Sequence, residues 1–270
     1  MTENNGILTF KCDNNKSVFS QRDNKFNLQE FWKDKYPKNQ VVVKNTTECN
    51  FTSYINALFD AGWIFPSGPY EQPEDNFAYF FYTDSRVMEY FKKELPIPYN
   101  LYIKGLKGKC SDWEVKNQLI APNEYHIILS YAANLWLNFP HASSFSENLN
   151  FPKCLWRYLV VDNLPMVVST TFSGFNHLVT VTGVQYDKSS FEQGKKYYNE
   201  SKVHLPETIP QSIIIDDSWG TYNPKTNKYD NAEPGNDIVI PWDVVVAKLK
   251  PCGSTIDKRI HTFRHGVGTI

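Results

Sequence analysis

The five cysteines of this 270-residue chain, Cys12, Cys49, Cys110, Cys154 and Cys252, contain no CxxC pair. Their spacing excludes a zinc ribbon and a thioredoxin-type redox motif, and the odd count leaves at least one thiol outside any internal disulfide scheme. Charge of neither sign is in excess: 28 Lys and Arg stand against 29 Asp and Glu, a net charge of −1. Nothing in that balance steers the chain to nucleic acid or to an acidic membrane, so neither is expected as a partner. No apolar run approaches the ~20 residues of a membrane-spanning helix, so no membrane insertion is expected. Met1 to Phe10 lack the basic and apolar regions of a secretory signal, which predicts a protein that is cytoplasmic as synthesised. Internal repeats are missing too, which sets aside solenoids and propellers. What the chain does have is aromatic residues, 7 Trp, 16 Tyr and 18 Phe, within a hydrophobic fraction of 41% that suits a packed core.

Hydrophobic periodicity divides the chain into two textures. Phe51, Ile55, Leu58 and Phe59 fall at i, i+4, i+7 and i+8, which predicts a helix over 49–60, capped by Thr46 or Thr47 and stopped by Gly62. Further helices are expected over Ser85–Leu95, from Pro122 to about Leu137, and in a short piece over 153–161. The aromatic stretch Phe19–Phe26 reads as extended or loop structure. Beyond residue 160 β-branched runs take over: Pro165–Phe172, Leu178–Tyr186, Ser212–Asp216 and a further strand over Asp237–Ile240. The polar run 187–211 reads as a loop inserted between two strands. Helices first and strands after predict an α+β fold in a single domain over 1–270. Its helical lobe covers about 1–160, its β lobe about 161–270, and a cleft lies where they meet.

An unpaired thiol at a helix start has chemical consequences. Only the thiolate is a good nucleophile, and both the positive end of a helix dipole and a nearby imidazolium favour it. Cys49 has the first by position. Of six histidines, His177 alone sits at the mouth of a strongly predicted strand, after Ser173-Gly174-Phe175-Asn176, where a base is rigid yet open to a cleft. A third group must orient the imidazole, and the strand Ile213-Ile214-Ile215 runs into Asp216-Asp217. Alternation puts these two aspartates on opposite faces, so only one of them can serve.

At these residues the sequence resembles the C39-like branch of the papain-fold cysteine peptidases. Cys49-Asn50-Phe51-Thr52-Ser53 followed by Asn56-Ala57-Leu58 is similar to that branch's nucleophile helix. Phe19-Ser20-Gln21-Arg22-Asp23-Asn24 resembles its glutamine segment, and Leu164-Pro165-Met166-Val167-Val168 with His177 and the strand to Gly183 its histidine strand. Asp217-Ser218-Trp219-Gly220 resembles its Asp-Pro-Trp/Tyr-Gly block. The four blocks occur in the family order but match over only about 40 residues. The chain departs in three places: Asn176 stands where Gly commonly precedes the histidine, Ser218 stands in place of Pro, and an insertion over about Leu28 to Val43 separates Gln21 from Cys49. If that insertion does not loop out, Gln40 or Asn45 takes the place of Gln21.

The resemblance implies a papain-like cysteine peptidase fold, with a helical lobe, an antiparallel β lobe and the active site in the cleft. It implies a peptidase or amidase in which Cys49 attacks an amide carbonyl, His177 is the base, Asp217 orients His177, and Gln21 helps form the oxyanion hole. Trp219 is expected to shield the Asp–His pair from water. Members of that branch include peptidoglycan-cutting lysins of phages and bacteria. A wall-degrading lysin, released to the cell wall by a partner, is therefore the expected activity, with a peptide or peptidoglycan substrate, no cofactor, no metal and a monomeric chain. A catalytically silent binding protein and an effector protease acting on proteins are the alternatives.

Other patterns carry less. His261 and His265 have helix-compatible metal spacing but no accompanying Glu, and read as part of a short polar tail. Asn45-Thr46-Thr47, Asn50-Phe51-Thr52 and Asn199-Glu200-Ser201 match the glycosylation sequon, an expected accident in a chain with 25 Asn. Cys12, Cys110, Cys154 and Cys252 are read as structural.

Overall fold

A computed structural model describes residues 1–12, 19–32, 49–111, 113–114, 122–174, 176–231, 235–252 and 254–266. Thr46, Thr47, Gln40, Asn45 and residues 33–43 of the expected insertion lie outside the described residues, as does the side chain of Cys252. The chain is α+β. Helices α1 (Leu28–Trp32), α2 (Cys49–Asp60), α3 (Pro73–Thr83), α4 (Ser85–Glu94), α5 (Pro96–Leu106) and α6 (His126–Trp136) build one side. Strands β1 (Thr2–Asn4), β2 (Ile7–Lys11), β3 (Ser143–Asn150), β4 (Met166–Thr170), β5 (His177–Asp187), β6 (Ser212–Asp217), β9 (Gly235–Pro241), β10 (Pro251–Cys252) and β11 (Ser254–Phe263) join in one antiparallel sheet, and β7 (Tyr222–Asn223) pairs β8 (Lys228–Tyr229) separately.

β5 is the spine of the sheet. Its first half pairs β4, its second half pairs β2, and β6 runs along its other edge. Both faces are covered, so β4 and most of β5 are buried continuously rather than in alternation. Val167 and Leu178 join a helix-side core with Phe51, Leu58, Phe77 and Phe81, whereas Met166, Val168, Val179 and Val181 join a second core with Trp156, Ile213 and Ile215. A bulge between Val181 and Gly183 then shifts the phase, so Val184 and Tyr186 also face the second core. The backbones come so close there that a Cβ on Gly183 would lie 2.8 Å from the Phe10 carbonyl oxygen. The aromatic surplus largely fills these cores: Phe51 meets Phe77 and Phe81 edge-on, and Trp156 stacks on Phe191.

Several sequence expectations need correction. The run 187–211 is not a loop: Lys188–Ser201 is helix α8, following α7 (Phe151–Cys154), and Asp187 caps it by accepting from the Ser189 and Ser190 N–H groups. Only Phe191 and Gly194 of that helix are buried, so its apolar stripe is too thin to read. The expected polar tail holding His261 is strand β11, paired with both β3 and β4. The expected order of lobes is interleaved, because the hairpin β1–β2 and strand β3 join the sheet from the first 160 residues. Helices α3 and α5 went unread, and the start of the expected insertion, Leu28–Trp32, is helical. The helix expected from Pro122 breaks into a 3-10 turn over Pro122–Glu124 and α6, while that over 153–161 continues α7 as a π-helix over Leu155–Val161. α2 spans the expected residues, and Gly62 after it takes a left-handed φ of 84°.

Candidate active site

α2 and β5 are locked together through Ser53, four residues after Cys49. Ser53 Oγ donates to the Leu178 carbonyl at 2.8 Å, and Thr180 Oγ1 donates to the Ser53 carbonyl at 3.0 Å. Cys49 is one helical turn before Ser53 and so on the same face of α2, while His177 directly precedes Leu178. The docking of Ser53 thus brings the thiol to the mouth of β5. Cys49 and His177 both border a cavity of about 620 Å³.

His177 is buried between two partners. Its Nε2 lies 2.7 Å from Asp217 Oδ1, and the Cys49 sulfur is near enough to favour the charged ring, while the Cys49 thiol itself donates to Asn50 Oδ1 at 3.3 Å. Burial disfavours the imidazolium, but the Asp217 carboxylate and the Cys49 sulfur outweigh it and lift the His177 pKa to about 10. Alternation settles the choice between the aspartates. Asp217 lies on the sheet face of Ile213 and Ile215, whereas Asp216 points the other way and accepts from the Asp237 N–H at 3.0 Å. Asp237 has a φ of 57°, at a bulge between β6 and β9, so Asp216 holds that irregular turn.

Asp217 is fully buried and accepts three hydrogen bonds. Besides His177, the Trp219 N–H donates to Oδ1 at 2.9 Å and the Tyr229 hydroxyl donates to Oδ2 at 3.0 Å. Tyr229, on β8, is a site residue that sequence reasoning missed; an aromatic twelve residues downstream in a turn-rich stretch carries no signal of its own. Its burial and the neighbouring Asp217 carboxylate both raise its pKa, so the phenol stays protonated and a donor. It is Tyr229 that covers the far oxygen of Asp217. The Trp219 indole, expected to shield the Asp–His pair from water, lines the same cavity as His177, is 41% exposed and lies under the Arg22 guanidinium, 4.0 Å from carbon to ring centroid.

Gln21 reaches the cavity from a segment clipped to both sides of it. Asn56 on α2 accepts from the Phe19 N–H at 2.9 Å, and Asn24 Nδ2 donates to Thr52 Oγ1 at 3.2 Å. Across the cleft, Arg22 Nε donates to the Trp219 carbonyl at 2.5 Å. Ser218 Oγ donates to Gln21 Oε1 at 2.8 Å, so the amide Nε2 is the end left for the cavity. Ser218, where the family pattern has Pro, is what fixes that orientation. Asn176, a second of the three departures, is exposed at the cavity rim.

The structure brings Cys49, His177, Asp217 and Gln21 together. It separates the other candidates. His261 Nδ1 pairs with the Tyr54 hydroxyl, and its Nε2 lies 2.6 Å from His126 Nδ1, whereas the His265 ring lies at the surface against the Asp162 carbonyl. Among the described residues no group of three or more His, Cys, Asp or Glu is arranged to hold a metal. The Cys12 thiol donates to the Thr182 carbonyl at 3.1 Å, and burial pushes the Cys154 thiol up to about 12, so it is inert. No described helix is long and apolar enough to cross a membrane. Compared with known families, the chain matches no family model, and a comparison with curated proteins also finds no match.

Proposed function

We propose that this chain is a cysteine peptidase or amidase of papain-like arrangement, most simply a lysin that cuts peptidoglycan. The observation that carries the reading is His177 held between Asp217 and Cys49 at a cavity that Gln21 also borders. An imidazolium beside a thiol favours the nucleophilic thiolate. In the proposed reaction the Cys49 sulfur attacks the amide carbonyl carbon. Gln21 Nε2 and the Cys49 backbone N–H stabilise the oxyanion, a contribution often worth roughly 3–4 kcal/mol per donor in acyl-transfer sites. His177 passes its proton to the leaving amine as the C–N bond breaks, leaving a thioester on Cys49. His177 then takes a proton from water, the hydroxide displaces the sulfur, and the acid product and thiolate–imidazolium pair are restored.

The reading is tested in two steps. Iodoacetamide should alkylate Cys49 well below pH 8 and faster than Cys12, Cys110, Cys154 or Cys252; equal labelling of all accessible thiols would favour a catalytically silent binding protein. Purified protein should then solubilise bacterial cell walls, with mass spectrometry of the fragments giving the bond cut, and Cys49→Ala should abolish this. A reactive thiol with intact walls would move the substrate to proteins.

A further inference from the structure

The cavity of Cys49 extends beyond the groups that do the chemistry. Part of its lining is Glu124, His126, Ser169, Lys250 and Arg259, none of which the proposed mechanism uses. The Lys250 N–H donates to the Ser169 carbonyl at 3.0 Å, so Lys250 extends the sheet one position past β4. Ser169 in turn pairs with Leu178, the neighbour of His177. Two strand spacings, about 10 Å, therefore separate the Lys250 backbone from β5.

Two cations, Lys250 and Arg259, line this part of the cavity. Burial and the Arg259 guanidinium both lower the Lys250 pKa, the response of an ammonium facing a like charge. Burial, then Arg259 and Lys250, push the His126 pKa to about 4, so its ring stays neutral and leaves the charge to the two cations. Arg259 pairs with the Glu147 carboxylate at 3.2 Å on the outer strand β3. Among the described residues no carboxylate lies within ion-pair distance of the Lys250 ammonium. Glu124 is an acidic group that acts on it from the same cavity; burial raises the Glu124 pKa and Lys250 opposes that shift.

We propose that Lys250 and Arg259 form an anion subsite of this cleft, which selects substrates carrying a carboxylate a few residues from the bond cut by Cys49. The inference rests on the reading of Cys49 as nucleophile and names the substrate class that site takes: acidic peptides or amides. The carboxylate comes from an acidic side chain or a free chain terminus, and the two are separated by experiment.

The probes are bromoacetyl peptides, whose methylene carbon forms a C–S bond with Cys49 as bromide leaves. Bromoacetyl-Ala-Ala-Glu-amide is compared with its Gln isostere, and bromoacetyl-Ala-Ala-Ala with a free terminus against its amide. The anionic member of at least one pair should alkylate Cys49 about 10-fold faster, the scale of one charge-assisted hydrogen bond. Lys250→Met should bring that ratio within about 2-fold, and Lys250→Arg should retain it. Equal rates in both pairs at a Cys49 that reacts normally with iodoacetamide would overturn the subsite and leave the nucleophile standing. A preference unchanged in Lys250→Met would overturn it equally. If Cys49 proves unreactive, the nucleophile reading fails on its own. Fluorescence titration of the Cys49→Ala chain with labelled acetyl-Ala-Ala-Glu-amide and its Gln isostere then reads the subsite directly, and equal affinities would overturn it.

Discussion

Ser218 holds Gln21 twice: its Oγ donates to Gln21 Oε1 at 2.8 Å, and its carbonyl accepts from the Gln21 N–H at 3.2 Å. The hydroxyl is fully buried, so without it the amide loses the partner that turns its Nε2 toward the cavity. Ser218→Ala should lower kcat about 10-fold with KM nearly unchanged, and Ser218→Thr should restore most of it. Gln21→Ala should cost more, about 10²–10³ in kcat, as loss of an oxyanion donor does elsewhere. Steady-state kinetics on a cleaved peptide decide both.

Asp217, the last residue of β6, carries a heavier role than its position at a strand end suggests. Asp217→Asn replaces an acceptor with an amide that donates toward His177, favouring the wrong tautomer, and an activity loss of about 10⁴ is the scale known for such a change in a serine protease triad. Tyr229→Phe leaves Oδ2 of that buried carboxylate without its hydroxyl donor. It should destabilise the fold by about 1–3 kcal/mol and raise the His177 pKa, because a carboxylate relieved of one donor keeps more of its charge for the imidazolium. Urea melts read the first effect and the pH dependence of Cys49 alkylation reads the second.

Ser53 links α2 to β5, and that link is open to a direct test. Ser53→Ala removes the donor to the Leu178 carbonyl inside a fully buried contact, with an expected cost of about 1–3 kcal/mol in stability. Activity at a temperature where the variant remains folded should fall as well, because Cys49 and His177 are aligned through this contact. Unchanged activity would show that the rest of the α2 packing suffices.

Stability should fall on the acid side through the His126–His261 pair. Burial, with cationic neighbours, pushes His126 to about 4, and burial together with His126 holds His261 well below its ordinary value. Between about pH 6.5 and 4 the unfolded chain binds protons that these rings refuse, so stability rises with pH across that window. One ring accounts for roughly 3 kcal/mol, from about 2.5 units at 1.36 kcal/mol each. Denaturant melts at pH 6.5, 5 and 4 should show the slope, reduced in His126→Gln. His177 acts oppositely: raised to about 10, its contribution is complete below about pH 6.5 and is lost as pH rises through 10.

The sequence by itself determined what is local. The apolar spacing of Phe51, Ile55 and Leu58 sets α2, Gly62 ends it, and the β-branched runs of β4, β5 and β6 announce strands, because these signals arise within one turn or one pleat. It also limited the aspartates to one of two. What it could not hold is anything settled across the sheet. The hairpin β1–β2 earns its place by pairing β5, 170 and more residues away, and β11 is a strand because β3 and β4 flank it. Likewise Tyr229 against Asp217, Ser218 against Gln21 and Lys250 beside Arg259 depend on which distant segments meet. Periodicity records which face of an element is apolar, but only packing decides which elements share that face. The odd thiol was therefore visible in the sequence, and the groups that surround it were decided by the tertiary structure.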